Sequence, residues 1–273
     1  VAGRAEASTA ESLNPTHQPH SPTPLTNPES ARVALSALAV ESTDMVRALV
    51  TGGSRGLGFE VARGLVAAKI DTTILGQSEA NVAKAVTELG VTGITCDVRD
   101  YEKLRKLREL HEPFDIIVLS HGVMSEKMSK TMKATKEDWD RTIDINLTGV
   151  FNVVNIFAEQ LVEKRSGRVI VFSACLGRMS GPGNAGGLAP YRISKAGVNA
   201  FVRNFAHETG LGSRGVLVDA ICPNHSQTDM GGPNAPRTAA EGAETAIWLA
   251  TREFTPGVDQ TGLLWEDREV IPW

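Results

Sequence analysis

The chain has 273 residues, 41% of them hydrophobic and 22% charged, with a formal net charge of −4. That length and apolar content suffice for a full core, and the acidic balance offers no basic field to hold nucleic acid. No apolar run approaches the roughly twenty residues needed to span a bilayer, so the composition predicts a soluble chain with no membrane span.

Residues 1–44 are rich in Ser, Thr, Pro and Asn through Pro28 and show no periodicity, which predicts a tail or linker, with a short helix at 31–40. Arg4 and Arg32 are outnumbered by Glu6, Glu11, Glu29, Glu41 and Asp44, so the segment is not an Arg-rich, acid-poor transit peptide; the missing initial Met points to processing. From Met45 the pattern changes. Met45–Val50 reads as a buried strand, Thr51–Gly58 as a glycine turn (TGGSRGLG), and Gly58–Ala68 as a helix. Gly52, Gly56 and Gly58 allow a tight turn and close backbone approach, with Ser54, Arg55 and Leu57 between them. Free N–H groups and the dipole at the helix start attract a pyrophosphate.

A strand is expected at Ile70–Leu75, followed by a helix at Ser78–Leu89, a strand at Val91–Cys96, a helix at Tyr101–His111 and a strand at Phe114–Leu119. One long helix is expected from Lys136 or Trp139 to Lys164, then a strand at Arg168–Ser173 and a glycine-rich loop from Leu176 to Pro190. The helix Tyr191–Glu208, the strand Gly215–Ile221, a Gly/Pro-rich lid at Pro223–Pro236, the helix Thr238–Thr251 and a last strand at Thr261–Trp265 complete the chain. Strands alternating with helices predict an α/β fold: a single Rossmann-like, doubly wound parallel sheet with helices on both faces, over 45–273.

Tyr191 and Lys195 lie four residues apart and therefore share a helix face. A free phenol has a pKa near ~10, too high to exchange protons readily at neutral pH, and a nearby ammonium favours the tyrosinate. Cys96, Cys175 and Cys222 are odd in number and widely spaced, which offers neither a disulfide framework nor metal-ligand spacing and predicts a reducing compartment, the cytoplasm or an organelle interior.

The glycine loop, Asp97-Val98 after a strand, Asn146 in IDINLTGVFN, Tyr191/Lys195, and Pro223 with Thr228 stand in the order of the short-chain dehydrogenases/reductases, which the chain resembles from about Met45 to Trp273. The final segment, GGPNAPRTAAEGAETAIWLAT and TGLLWEDREVIPW, resembles the carbonyl-reductase-like branch. The resemblance implies that Tyr191 is the general acid toward a carbonyl, that Lys195 holds the nicotinamide ribose and lowers the tyrosine pKa, and that Asn146 supports a proton-relay water. It also implies cofactor contacts at Asp97, Val98, Gly122, Pro223 and Thr228, and a homo-oligomer paired through the helices around Trp139–Lys164 and Tyr191–Glu208.

Three departures accompany the resemblance. Laid on the family's strand without a gap, the catalytic serine falls on Ala174; Ser173, its neighbour, points to the opposite side unless a bulge intervenes. The usual Asn-Ala-Gly after the fourth strand reads Ser120-His121-Gly122, with His121 read as a packing residue, and the usual Gly after Pro223 is Asn224. The second strand ends in Gly76-Gln77-Ser78, with no carboxylate to exclude a ribose phosphate. Arg55 stands in the glycine loop to pair with one, so NADP(H) is favoured over NAD(H), although many NADP-binding relatives carry arginine where Gln77 stands.

Two functions stay open. One is an NADP(H)-dependent oxidoreductase moving a hydride between the nicotinamide and a carbonyl or alcohol. The other is a weakened dinucleotide-binding accessory subunit, docked on a larger assembly through the N-terminal tail.

Overall fold

The computed structural model describes residues 45–125 and 130–273, so the expected tail and its short helix lie outside the described residues. Eight strands form one sheet in the order β3-β2-β1-β4-β5-β6-β7-β8. They are β1 (Arg47–Thr51), β2 (Asp71–Gly76), β3 (Thr92–Thr95), β4 (Ile116–Leu119), β5 (Gly167–Phe172), β6 (Val216–Ile221), β7 (Leu264–Glu266) and β8 (Glu269–Ile271). All neighbours pair in parallel except β7 and β8. β1 pairs β2 on one side and β4 on the other. The strand order reverses direction there, and ligands of such sheets bind outside the carboxyl ends of the strands at that crevice.

Successive side chains of a strand face opposite ways, and the sequence feeds two cores accordingly. Leu49, Ile117, Leu119, Val169 and Val171 join Val153, Leu161, Val198 and Val202 in one core. Ala48, Val50, Ile116, Val118, Ile170 and Phe172 join Val61, Leu65, Ala246 and Leu249 in the other. Each fully buried Leu or Ile contributes on the order of 2–3 kcal/mol through area removed from water. The helices supplying these faces are α1 (Gly56–Ala67), α2 (Glu79–Leu89), α3 (Tyr101–Leu110), α4 (Lys136–Ile143), α5 (Gly149–Phe157), α6 (Glu159–Glu163), α7 (Ala189–Glu208) and α8 (Ala239–Thr251).

Two expectations about elements are corrected. The helix expected to run unbroken to Lys164 is interrupted by a π-helical turn at Asp144–Thr148 and by a break at Ala158, which separates α5 from α6. A π turn inserts one residue without disturbing the apolar spacing on either side, so periodicity does not reveal it, and such turns concentrate at functional sites. The strand expected last, at Thr261–Trp265, is β7, displaced to Leu264–Glu266, and an unexpected β8 follows through a hairpin whose central residues Asp267 and Arg268 both have positive φ (53° and 64°). No Asn-Gly or Asp-Gly announces that turn. Arg237 clamps the Asp267 carboxylate with both guanidinium nitrogens instead.

β7 is fixed to β6 by a buried carboxylate. Asp219 accepts from Trp265 Nε1 (2.9 Å), Leu263 N (3.2 Å) and Thr261 Oγ1 (3.0 Å), and pairs with Arg252 at 3.5 Å. Burial raises its pKa, and these donors oppose that shift.

Candidate active site

Four helices begin with a side-chain cap: Ser78, Asp100, Thr135 and Thr238 each accept from a backbone N–H of the first turn. Helix α1, after the glycine turn, has no side-chain cap, so its orphan N–H groups remain for an anion. The turn requires its glycines. Gly56 has φ +55°, and a Cβ on Gly58 would lie 2.4 Å from Gly52 O and 2.2 Å from Ser120 Oγ. Ser120, at the usual Asn position, donates to Thr51 O at 2.7 Å and so ties β4 to β1 beneath the turn.

A cleft of about 1150 Å³ opens over this point, somewhat above the range of about 300–1,000 Å³ usual for small-molecule sites. Gly52, Ser54, Arg55, Gly56, Leu57 and Gly58 line one wall. Gln77, Asp97 and Val98 line the next, with Gly122 and Thr228 beyond. These eleven residues therefore line one cleft. Gln77 Nε2 donates to Asp97 Oδ2 at 2.8 Å, and the Arg99 guanidinium holds the Asp97 carboxyl below its usual range. Arg55 is paired with Asp229 of the Pro223–Pro236 segment at 2.5 Å; both side chains are mostly exposed, so the bridge is a weak latch. An uncapped helix start, glycines with no room for a Cβ and a cleft of this size fit a dinucleotide.

Tyr191, Lys195 and Pro223 are not on that cleft surface. Tyr191 is 6% exposed and packs with Ala174 and Leu188, against which Met124 and Leu176 also rest. Leu188 forms part of the cleft wall and packs in the same cluster as Tyr191. It initiates α7 in the left-handed region at φ +53°, costly for a non-glycine residue. The loop before it is tied down by Arg192 Nη1, which donates to Pro182 O at 2.9 Å. Sequence spacing carried no signal for Leu188.

Lys195 lies 5.9 Å from the Tyr191 ring centroid and donates from Nζ to Phe172 O at 2.7 Å. Burial lowers its pKa to about 8. The phenol does not respond as expected: burial pushes the Tyr191 pKa up, with Cys222 and Cys175 adding to the rise. Desolvation of the buried phenol is the largest cause as the protein stands. Asn146, fully buried on the π turn, accepts from Val123 N (2.7 Å) and donates to Val123 O (2.8 Å) and Ser194 Oγ (3.0 Å). Ser194, in turn, donates to Tyr191 O at 2.7 Å. It is a positioning residue that the Tyr-x-x-x-Lys spacing left unremarked.

The serine question has a geometric answer. Ser173 points away from Tyr191; its hydroxyl bonds Asn199 Oδ1 and lies 3.3 Å from Lys195 O. Ala174 faces Tyr191 and brings no hydroxyl. Asn224 adopts φ +59°, the conformation its glycine counterpart would take, and Asn tolerates that region better than most residues. His121 Nδ1 lies 2.6 Å from Thr51 Oγ1, and burial lowers its pKa to about 3, which supports its reading as a neutral packing residue.

Cys175 and Cys222 correct a further expectation. They are 47 residues apart, yet Cys175 N donates to Cys222 Sγ at 3.0 Å because β5 and β6 are neighbours and both residues lie just past their carboxyl ends. Hydrogen bonding with Cys222 holds the Cys175 thiol down to about 7, and the same contact pushes Cys222 up.

A model of the short chain dehydrogenase family matches residues 46–239. The chain belongs to the short-chain dehydrogenase/reductase family. It is 33% identical over 193 residues to the 3-oxoacyl-(acyl-carrier-protein) reductase of Synechocystis, covering 67% of this chain and 75% of that one. The enzyme of that name from Escherichia coli is 33% identical over 189 residues, covering 67% and 74%. Among solved structures, an actinorhodin polyketide ketoreductase with NADPH has a TM-score of 0.69 at 26% identity, covering 77% of this chain and 92% of that one. Among the described residues of this short-chain dehydrogenase/reductase, no helix is long and apolar enough to cross a membrane.

A buried, uncompensated ammonium is a local cost. Lys195→Met is expected to raise the stability of the cofactor-free protein at pH 7 by about 1–3 kcal/mol, less whatever the bond to Phe172 O contributes. With a native pKa of about 8 against the ordinary lysine value of 10.5, the unfolded state binds more protons between these values, so wild-type stability climbs across that window. The advantage of the variant should therefore fade from pH 8 to 10.5 in thermal denaturation; a constant advantage would mean that packing, not charge, is the cause.

Proposed function

We propose that this short-chain dehydrogenase/reductase is an NADP(H)-dependent carbonyl reductase with Tyr191 as its proton donor. The observation that carries the reading is an uncapped, glycine-led helix start just past β1, with Asn146 bonded to Val123 beyond β4, Lys195 bonded to Phe172 O at the end of β5, and Tyr191 packed beside Leu188 of the cleft wall. A bound nicotinamide supplies the hydride. The glycine turn and the α1 N-terminus bind the pyrophosphate, Asp97 and Val98 border the adenine, and Lys195 donates to the ribose. Arg55, released from Asp229, pairs with the ribose phosphate, and no carboxylate at Gln77 opposes it. Tyr191 hands its phenolic proton to the substrate oxygen. Lys195 then balances the tyrosinate, and Asn146 holds the Val123 backbone that borders the pocket.

The NADPH-bound ketoreductase and the 3-oxoacyl reductases among its relatives support NADPH and a ketone. Purified protein should oxidise NADPH faster than NADH against a panel of 3-oxoacyl thioesters, simple ketones and quinones, and Arg55→Ala should narrow the cofactor preference. NADPH binding without turnover of any of these compounds would refute the reductase. It would support the second reading, an accessory subunit, which Leu188 packed with Tyr191 and the hydroxyl-free Ala174 favour. We also propose that the chain forms a homo-oligomer through α5 and α7, where Phe151 and Ile193 are 46% and 47% exposed.

A further inference from the structure

We propose that Cys175, Cys222 and Glu266 bind a thiophilic divalent cation, with Zn²⁺ the best chemical match, at the carboxyl ends of β5, β6 and β7. One ligand atom from each of the three residues lies within 4.8 Å of the other two. Zinc takes sulfur at about 2.3 Å and carboxylate oxygen at about 2.0–2.2 Å, which puts donors of a tetrahedral centre roughly 3.5–3.8 Å apart. Small side-chain rotations close the difference.

The backbone holds this arrangement independently of any ion. Cys222 N donates to Trp265 O at 2.8 Å, which places Glu266 beside Cys222, and the Asp219 grip on Trp265 Nε1 fixes that register. Cys175 N donates to Cys222 Sγ, closing the third side. Glu266 is what separates a metal site from a simple dithiol. A carboxylate next to two thiols opposes their ionisation and has no part in disulfide chemistry, whereas a dication is stabilised by all three groups. On binding of M²⁺, two S–M bonds and one O–M bond form, and the thiol protons leave to solvent.

Three protein donors leave a fourth position for water or a ligand oxygen, the pattern of open rather than closed zinc sites. Cys175 directly follows Ala174, which packs on Tyr191, so the cation would lie in the wall of the tyrosine pocket. The site itself stands on the three side chains and is independent of the proposed reductase activity.

The test is titration of the reduced full-length chain with Co²⁺ and Zn²⁺, followed by absorption and metal analysis. The expected result is one ion per chain, with a thiolate-to-cobalt charge-transfer band that Zn²⁺ abolishes. Loss of an outer-sphere partner alone costs 10–100-fold in metal affinity, so Cys222→Ser and Cys175→Ser should each weaken binding by at least about 100-fold. Glu266→Gln should weaken it while keeping the band, and Cys96→Ser should change neither. Zn²⁺ should raise the Tm of the wild type and of Cys96→Ser but not of Cys175→Ser, a half-buried position whose variant is expected to fold. Cobalt bound without a thiolate band would place it on histidines and overturn the proposal. Equal binding by Glu266→Gln would overturn the three-ligand site, as would rapid conversion of the pair to a disulfide in air in the presence of saturating Zn²⁺.

Discussion

Tyr191→Phe is expected to lower kcat/KM for NADPH-dependent ketone reduction by about 10²–10⁴-fold while NADPH still binds, because only the transferable proton is removed. The apolar cluster of Ala174, Leu188 and Tyr191 accommodates Phe without a cavity. Burial keeps the phenol protonated at neutral pH, the state in which it can donate. The ammonium of Lys195 is then needed at the moment the proton leaves. Its pKa of about 8 sets a falling limb: kcat/KM should decline as pH rises through 8, where Lys195 becomes neutral and the tyrosinate loses its counter-charge. A variant retaining wild-type turnover would show that another group supplies the proton. A loss of turnover accounted for entirely by weaker NADPH binding would make Tyr191 a cofactor contact only.

The binding half of the site was legible in the sequence because it is local. Strand, glycine turn and helix follow one another from Arg47 to Ala67, so one stretch of chain carries both the sterics and the dipole. Alternation along β5 likewise separated Ser173 from Ala174, and the observed bond from Ser173 to Asn199 agrees with it. What escaped detection depends on contacts between distant segments. Leu188 meets Tyr191 only after the loop from β5 folds back, and the Cys175–Cys222 contact exists only because β5 and β6 are adjacent. The ionisation of Tyr191 escaped for the same reason. The four-residue spacing brings an ammonium near, but the balance between that charge and desolvation is set by what covers the ring.

Ala174→Ser is expected to raise turnover by about 100- to 1000-fold, the effect of a single hydrogen-bond donor to a developing oxyanion. The side chain at 174 faces Tyr191, so a hydroxyl there points toward the place where the substrate oxygen would be held. The gain has an opposing cost, since Ala174 is 8% exposed among Leu188, Leu176 and Met124, and a hydroxyl buried there without a partner costs on the order of 1–3 kcal/mol. A lower Tm in the free protein, recovered on adding NADPH and a ketone, is therefore the expected signature of a donor that finds its acceptor only in the complex. Ser173→Ala provides the contrast. It leaves Asn199 Oδ1 without its hydroxyl partner and should lower stability while kcat stays within about twofold, because that side chain lies on the other side of the strand. A fall in kcat for Ser173→Ala, with no gain from Ala174→Ser, would mean that the strand slips by one residue when substrate binds and that the working hydroxyl is Ser173 after all.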